Sequence, residues 1–495
     1  MVPGPIGNCA ERSHTSWTKV GGLRPEGDDA NHKEGGHLHG RISSWDLPLG
    51  STLDLLSLLS RVNGHNAIKT AFHKERKGMV RFTSGMILTA ILFAATAAAP
   101  AGEIPSQINK TIEDALQGGW GKISFNIRWR FEYVDQEGKG IARGDPIRLR
   151  LGYLTPKFSG FQAFAEFEGN TPVFLNEYNS TRNNKTQYPV IADPAEAELN
   201  QGWLAYSGLP GTTIKAGRQK IIYNNHRFVG NVGWRQMEQT FDAASILNQS
   251  IGSSDLKLAF VWNVRTVTSK SVNVAAPLLN LGYTFPGIGK LTAYGYLLDF
   301  SDADNSGPFP SAFSTQTYGL RFNGIRSVAE NLDLLYTAEY AYQTDFKDNP
   351  KSYNANYFHL VGGFRVNKVA SFFEYITQKI GWEYLGSDSG TALQTPLGTN
   401  HAFQGWADKF LVTPPGGVRD LYGDLSARVL GVKLQAVYHQ FDAAEGGKDY
   451  GHEIDALISR TLADHYTLML VYANYFARNY RTDTEKFWAQ ITVDF

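Results

Sequence analysis

Between Lys122 and Val134 the chain reads KISFNIRWRFEYV, and its polarity switches at every residue as far as Tyr133. Ile123, Phe125, Ile127, Trp129, Phe131 and Tyr133 are large and apolar, while Ser124, Asn126, Arg128, Arg130 and Glu132 are polar. A period of two sustained this far predicts a β-strand with one apolar and one wet face. Strands of soluble sheets usually run to about 5–6 residues, whereas a strand crossing a bilayer at a tilt needs roughly 9–11. The same alternation recurs to the end of the chain: 147–151, 161–168, 199–207, 213–219, 240–247, 256–265, 279–285, 291–300, 318–322, 332–342, 357–366, 372–384, 420–427, 432–441, 453–460, 466–476 and 486–495. This predicts eighteen strands. Parity is ambiguous in the fourth, fifth and fourteenth.

The connections sort by length. Those after even-numbered strands are short, as at Thr155–Gly160, Gly208–Gly211, Pro286–Gly289, Val366–Ala370 and Leu462–His465. Several after odd-numbered strands are long: Asn170–Glu198, Lys220–Gln239, Ser301–Thr315 and Leu385–Val418. Outer-membrane barrels have short periplasmic turns and longer extracellular loops. Phe487, Ala489, Ile491, Val493 and the terminal Phe495 share one face of the last strand, an ending that would be offered to barrel-assembly machinery. The expected fold is all-β: an antiparallel transmembrane barrel of about eighteen strands in a Gram-negative outer membrane.

Composition narrows the alternatives. Mean hydropathy is −0.29 and no apolar run reaches helix-spanning length. The chain has 47 Lys+Arg against 47 Asp+Glu; 11 and 8 of these fall in residues 1–101, so the remainder carries net −3 and has no nucleic-acid bias. Cys9 is the only cysteine, leaving no disulfide or cysteine-based metal site downstream, and no cofactor or metal is expected. Met79–Ala101 has the basic, apolar and A-x-A pattern of a secretory signal, with cleavage expected before Gly102. Residues 1–78 read as a mis-assigned or disordered extension, 102–118 as a periplasmic lead-in with a short helix for which Thr111 is a possible cap, and 119–495 as the barrel.

Runs in the C-terminal part, GWEYLGSDSG (Gly381–Gly390), QTPLGTNHAFQGWADKFLVTPPGGVRDLY (Gln394–Tyr422) and VKLQAVYHQF (Val432–Phe441), resemble the alginate export family of outer-membrane channels. AGRQ at Ala216–Gln219, HRFVG at His226–Gly230 and QTFDA at Gln239–Ala243 are similar to the same family. The resemblance implies a monomeric barrel conducting an anionic solute, a polysaccharide or oligosaccharide such as alginate. The alternative is a general or small-organic-anion uptake porin, and a barrel enzyme is a more distant third.

Parity turns Arg128, Arg130, Arg148, Arg150, Arg265, Arg321 and Arg365 into the lumen, where guanidinium groups can select anions. An arginine facing lipid would cost roughly 2–4 kcal/mol at mid-bilayer. A turn near Phe158 would pair Arg150 with Glu166 and Arg148 with Glu168 across the ladder. Arg265, Arg321 and Arg365 have no obvious acid neighbour and are expected to weigh most on selectivity. Arg227 and Arg235 would join a constriction if 220–238 folds inward. Trp406, Asp408 and Lys409 could touch a sugar, or Trp406 could pack on the barrel rim. His226, His359, His401 and His439 are scattered, with no nucleophile or base that parity brings to them, so no catalytic residue is assigned.

Overall fold

The computed structural model describes residues 106–301 and 308–495; the expected signal segment and everything before it lie outside them. The expected strands are all present, most of them longer than the periodicity indicates. They are β1 (Gly121–Gln136), β2 (Ala142–Leu154), β3 (Phe161–Glu177), β4 (Glu196–Leu209), β5 (Thr212–Gln219) and β6 (Thr240–Asn248). β7 (Ser254–Arg265), β8 (Ser271–Phe285), β9 (Gly289–Leu298), β10 (Thr315–Ala329), β11 (Leu332–Asp345) and β12 (Asn354–Ala370) follow. The last six are β13 (Phe373–Leu385), β14 (Val418–Val429), β15 (Val432–Asp442), β16 (Asp449–Leu462), β17 (Tyr466–Ala477) and β18 (Thr484–Asp494).

Each strand pairs antiparallel with the next, and β18 returns to β1 with Asn126 opposite Asp494 and Gln136 opposite Thr484. Closure leaves the sheet no free edge, the condition a sheet must meet in hydrocarbon. Large apolar side chains stand exposed around the whole circumference, among them Leu151, Phe167, Leu204, Phe260, Leu320, Ile380 and Leu425. A soluble protein rarely leaves so continuous an apolar belt in water; lipid covers it here. Trp262 stands exposed on the same outer face.

Several local expectations need correction. Val366–Ala370 is not a turn but the end of β12, which the tight turn at 371–372 joins to β13. The polar-to-apolar switch there is interrupted by Asn367 and Lys368, which hid the strand's continuation. A helix, α1, spans Ser106–Leu116, but Thr111 does not cap it. It lies inside, and its hydroxyl donates to the Gln107 carbonyl at 2.7 Å. The ambiguous parity of β4 comes from a register shift opposite Glu166 and Phe167, which turns both Asn200 and Gln201 to the buried side. A second shift at Gly144/Pro146 accommodates a residue that cannot donate to the ladder, and Asp145 there accepts from the Phe174 and Leu175 amides.

α1 is held at the periplasmic end. Glu113 meets His465 Nε2 at 3.0 Å, Tyr466 donates to Asn109 at 3.1 Å, and His465 stacks on Phe495 with 4.0 Å between centroids. Three long connections at the opposite end, 178–195, 220–239 and 386–417, fold down into the barrel. Ile221, Phe228, Val229 and Trp234 of the second pack with Leu393, Leu397 and Phe410 of the third. Together they meet inner-wall residues such as Val261, Tyr296, Tyr357 and Trp488. The barrel's core is therefore its own loops packed against its inner wall.

Candidate functional site

The inward loops and the wall meet at three clusters of charge. The first centres on Arg235, which is buried and reaches Glu132 on β1 at 3.0 Å, Asp193 of loop 178–195 at 3.5 Å and Asp408 of loop 386–417 at 3.3 Å. Asp408 in turn accepts from Lys486 on β18 at 2.7 Å and pairs with His401 Nδ1 at 2.6 Å. One carboxylate thus ties two loops and a strand together. Burial opposes its charge, but Lys486, His401 and Arg235 outweigh it and hold Asp408 well below the usual carboxylate range. Burial pulls His401 below its ordinary value despite Asp408, so the ring is neutral and its Nδ1–H donates.

The second cluster is Arg227. Its Nε stands 2.8 Å from Glu383 on β13, outside the N–H direction, so the contact is an ion pair and not a hydrogen bond. Arg227 Nη1 donates to Asn400 at 3.2 Å and Nη2 to Gln404 at 3.1 Å, while the guanidinium lies 4.7 Å over Phe403. Tyr357 and Gln404 both donate to Glu383. Arg227 and Arg235 are therefore the clamps that hold the folded-in loops to one another and to the wall.

The third cluster lines β1–β3. The observed register sets Arg150 opposite Glu168 and Arg148 opposite Asn170, with Glu166 opposite Gly152. The expected pairing was two residues out because the turn after β2 is centred differently, with Phe158 bridged to Phe161. Arg150 reaches Glu168 at 2.7 Å and Glu238 of loop 220–239 at 3.1 Å. Glu238 also pairs with Lys220 and accepts from Asn200 and Asn231; burial works against its charge, yet Arg150 and Lys220 hold it well below 4.5. Glu166 accepts from Asn200 and Gln201.

Arg128 and Arg148 are directly opposed on β1 and β2, and both are buried. Arg128 Nη1 donates to the carbonyls of Gly233, Trp234 and Arg235 at 3.1–3.3 Å. Arg148 donates to the Gln236 carbonyl at 3.1 Å and to Asn126. Arg130 donates to Gln490 and lies 4.2 Å over the Trp234 ring, whose other face stacks on His401.

The expectation that Arg265 and Arg321 lack acid neighbours is corrected: Arg265 pairs with Glu198 and Arg321 with Glu339. Their partners come from other strands, Glu198 from β4 and Glu339 from β11, so parity could place each side chain but not its neighbour. Arg365 is half-buried, donates to Thr377 at 3.1 Å and lies 5.0 Å over Tyr375. Trp406 is not at the rim. Its backbone N–H lies 3.3 Å from Asp455 Oδ2, the Ala407 N–H 2.6 Å from Glu453 Oε1, and Lys409 beside them is pushed down to about 8 by burial and by Lys486. His439 lies between Asp420 at 2.9 Å and Asp455 at 3.7 Å. Asp193, Glu383 and Lys486 escaped the sequence reading, and Asp408, expected to touch a sugar, is instead an ion-pair node. Inward parity was legible for Glu383 and Lys486, but only the loop folding supplies their partners.

A closed, lipid-belted barrel with its lumen partly filled by extracellular loops is an outer-membrane channel. The alginate export family model matches residues 120–369, half of the chain, and the chain belongs to that family. In fold it is similar to Pseudomonas aeruginosa OpdQ (13% identity, TM-score 0.58, 75% of this chain and 98% of that one). It is also similar to Acinetobacter baumannii OccAB2 (14%, 0.59, 77% and 100%) and to Pseudomonas aeruginosa OpdK solved with vanillate (11%, 0.57, 75% and 98%). No curated protein matches it in sequence.

Proposed function

We propose that this channel takes up small organic anions, carboxylates of the size of vanillate, across the outer membrane. The observation that carries this reading is the packing of loops 220–239 and 386–417 across the lumen, pinned by the buried pairs Arg227–Glu383 and Arg235–Asp408. A small solute needs only a local gap between loop and wall. A polymer would require both loops to leave, and breaking one buried ion pair by exposing its partner uncompensated costs about 3–5 kcal/mol. The likeness in fold to OpdK solved with vanillate supports the same solute class. Lumen arginines, with Arg265 and Arg365 the least buried of them, would supply the attraction for a carboxylate.

Family membership favours a second reading, export of an anionic polysaccharide such as alginate. The two separate in planar bilayers and proteoliposomes. Small carboxylates should permeate, the reversal potential should show anion preference, and uronate oligomers should neither permeate nor block strongly. Free passage of oligouronates would reverse the choice, and cation selectivity would defeat both. Function as a monomer, and recognition of Phe495 by the assembly machinery, belong to the same proposal.

A further inference from the structure

Arg128, Arg130 and Arg148 pose a problem that the plug does not solve. Arg128 and Arg148 face each other directly across β1 and β2, at 1% and 0% exposure. Like charges so placed repel, and neither they nor Arg130 makes an ion pair among the described residues. The carboxylates nearby are already engaged: Glu168 and Glu238 hold Arg150, while Glu132 and Asp193 hold Arg235. Arg128 Nε, Arg148 Nε and Arg130 Nη1 have no acceptor within the protein, and neither do the indole N–H groups of Trp234 and Trp488. Trp234 lies against Arg130 and meets Trp488 edge-on at 5.5 Å, so these donors belong to one patch. The unpartnered acceptors beside them are fewer: Gln236 Oε1 and the Oδ1 of Asn170, which stands opposite Arg148. A buried polar group left unpaired costs about 1–3 kcal/mol, more when charged, and a surplus of donors over acceptors is what an anion site consists of.

We infer that this patch holds a resident small monovalent anion, a halide such as chloride, between the β1–β2 arginines and loop 220–239. The carbonyls of residues 233–236 already crowd the Nη1 groups of Arg128 and Arg148, which restricts the occupant to a compact ion at the remaining donors. The ion would lock the loop to the wall; it is not the transported solute, so the site stands apart from the uptake reading.

The test uses the intact barrel in detergent at fixed ionic strength, with sodium chloride, bromide, acetate or gluconate. Chloride and bromide should raise the thermal midpoint by a few degrees over gluconate, and bromide-soaked crystals should show an anomalous peak against Arg128 and Arg148. The double variant Arg128→Gln/Arg148→Gln should lose the halide dependence of the thermal midpoint. Equal midpoints in chloride and gluconate together with no bromide peak would overturn the inference. So would acetate replacing chloride fully, which would make the patch a solute subsite. Since the bromide measurement uses the unaltered protein, a variant that fails to fold does not shield the idea. Failure of the unaltered barrel to pass small carboxylates would count against the proposed function alone.

Discussion

Asp408→Asn is the most informative single change. The carboxylate, 11% exposed, stands 2.7 Å from Lys486, 2.6 Å from His401 and 3.3 Å from Arg235, and all three of these are buried. Arg235 keeps Glu132 and Asp193 after the substitution, and the neutral His401 can still donate to the amide oxygen. Lys486, at 5% side-chain exposure and with Asp408 as its ion-pair partner, is left as a buried charge. Stranding one member of a buried pair costs about 3–5 kcal/mol. The barrel wall cannot relax to hydrate Lys486, but loop 386–417 can move away, so the cost falls on the closed position of that loop. At about 1.4 kcal/mol per tenfold, the closed-to-open ratio should drop roughly a hundredfold or more. In planar bilayers Asp408→Asn should show larger and noisier conductance steps, with the barrel's heat-resistant migration on gels retained. The double variant Asp408→Asn/Lys486→Met, which removes the stranded charge, should recover much of the closed state. Conductance unchanged in the single variant would refute the view that this carboxylate latches the plug.

Acidification should act through the same node. The folded state holds both His401 and Asp408 below their ordinary values, so each stabilises the closed plug above its unfolded pKa and loses that contribution as pH falls through the folded one. Conductance should therefore rise as pH drops below about 6.5, and His401→Gln should flatten the first part of that rise; a pH-independent wild type would contradict it. Gly405→Ala should also loosen loop 386–417. Gly405 has φ +79, and an added Cβ would fall on the Glu453 carboxylate that caps Ala407, so its conductance should resemble that of Asp408→Asn while Gly423→Ala, which meets open space, behaves as wild type. Tags inserted near Asn183 or Gly390 should be accessible on intact cells and a tag at Gly287 should not; labelling at Gly287 would invert the barrel.

The alternation of Lys122–Val134 and its repeats carried the fold class, the strand count and the inward set of arginines, because a two-residue period is a local property that strand geometry alone enforces. Loop sorting gave the orientation for the same reason. The pairing of those arginines was beyond the sequence. Arg150 found Glu168 and not Glu166 because register depends on where the turn and bulges fall, and Arg265 and Arg321 met Glu198 and Glu339 from other strands. Arg235 shows the limit most clearly. Its three acids come from β1, loop 178–195 and loop 386–417, segments that meet only after the barrel has closed and the loops have packed into it. Strands repeat and are readable one at a time; the plug is aperiodic, and its contacts exist only in three dimensions.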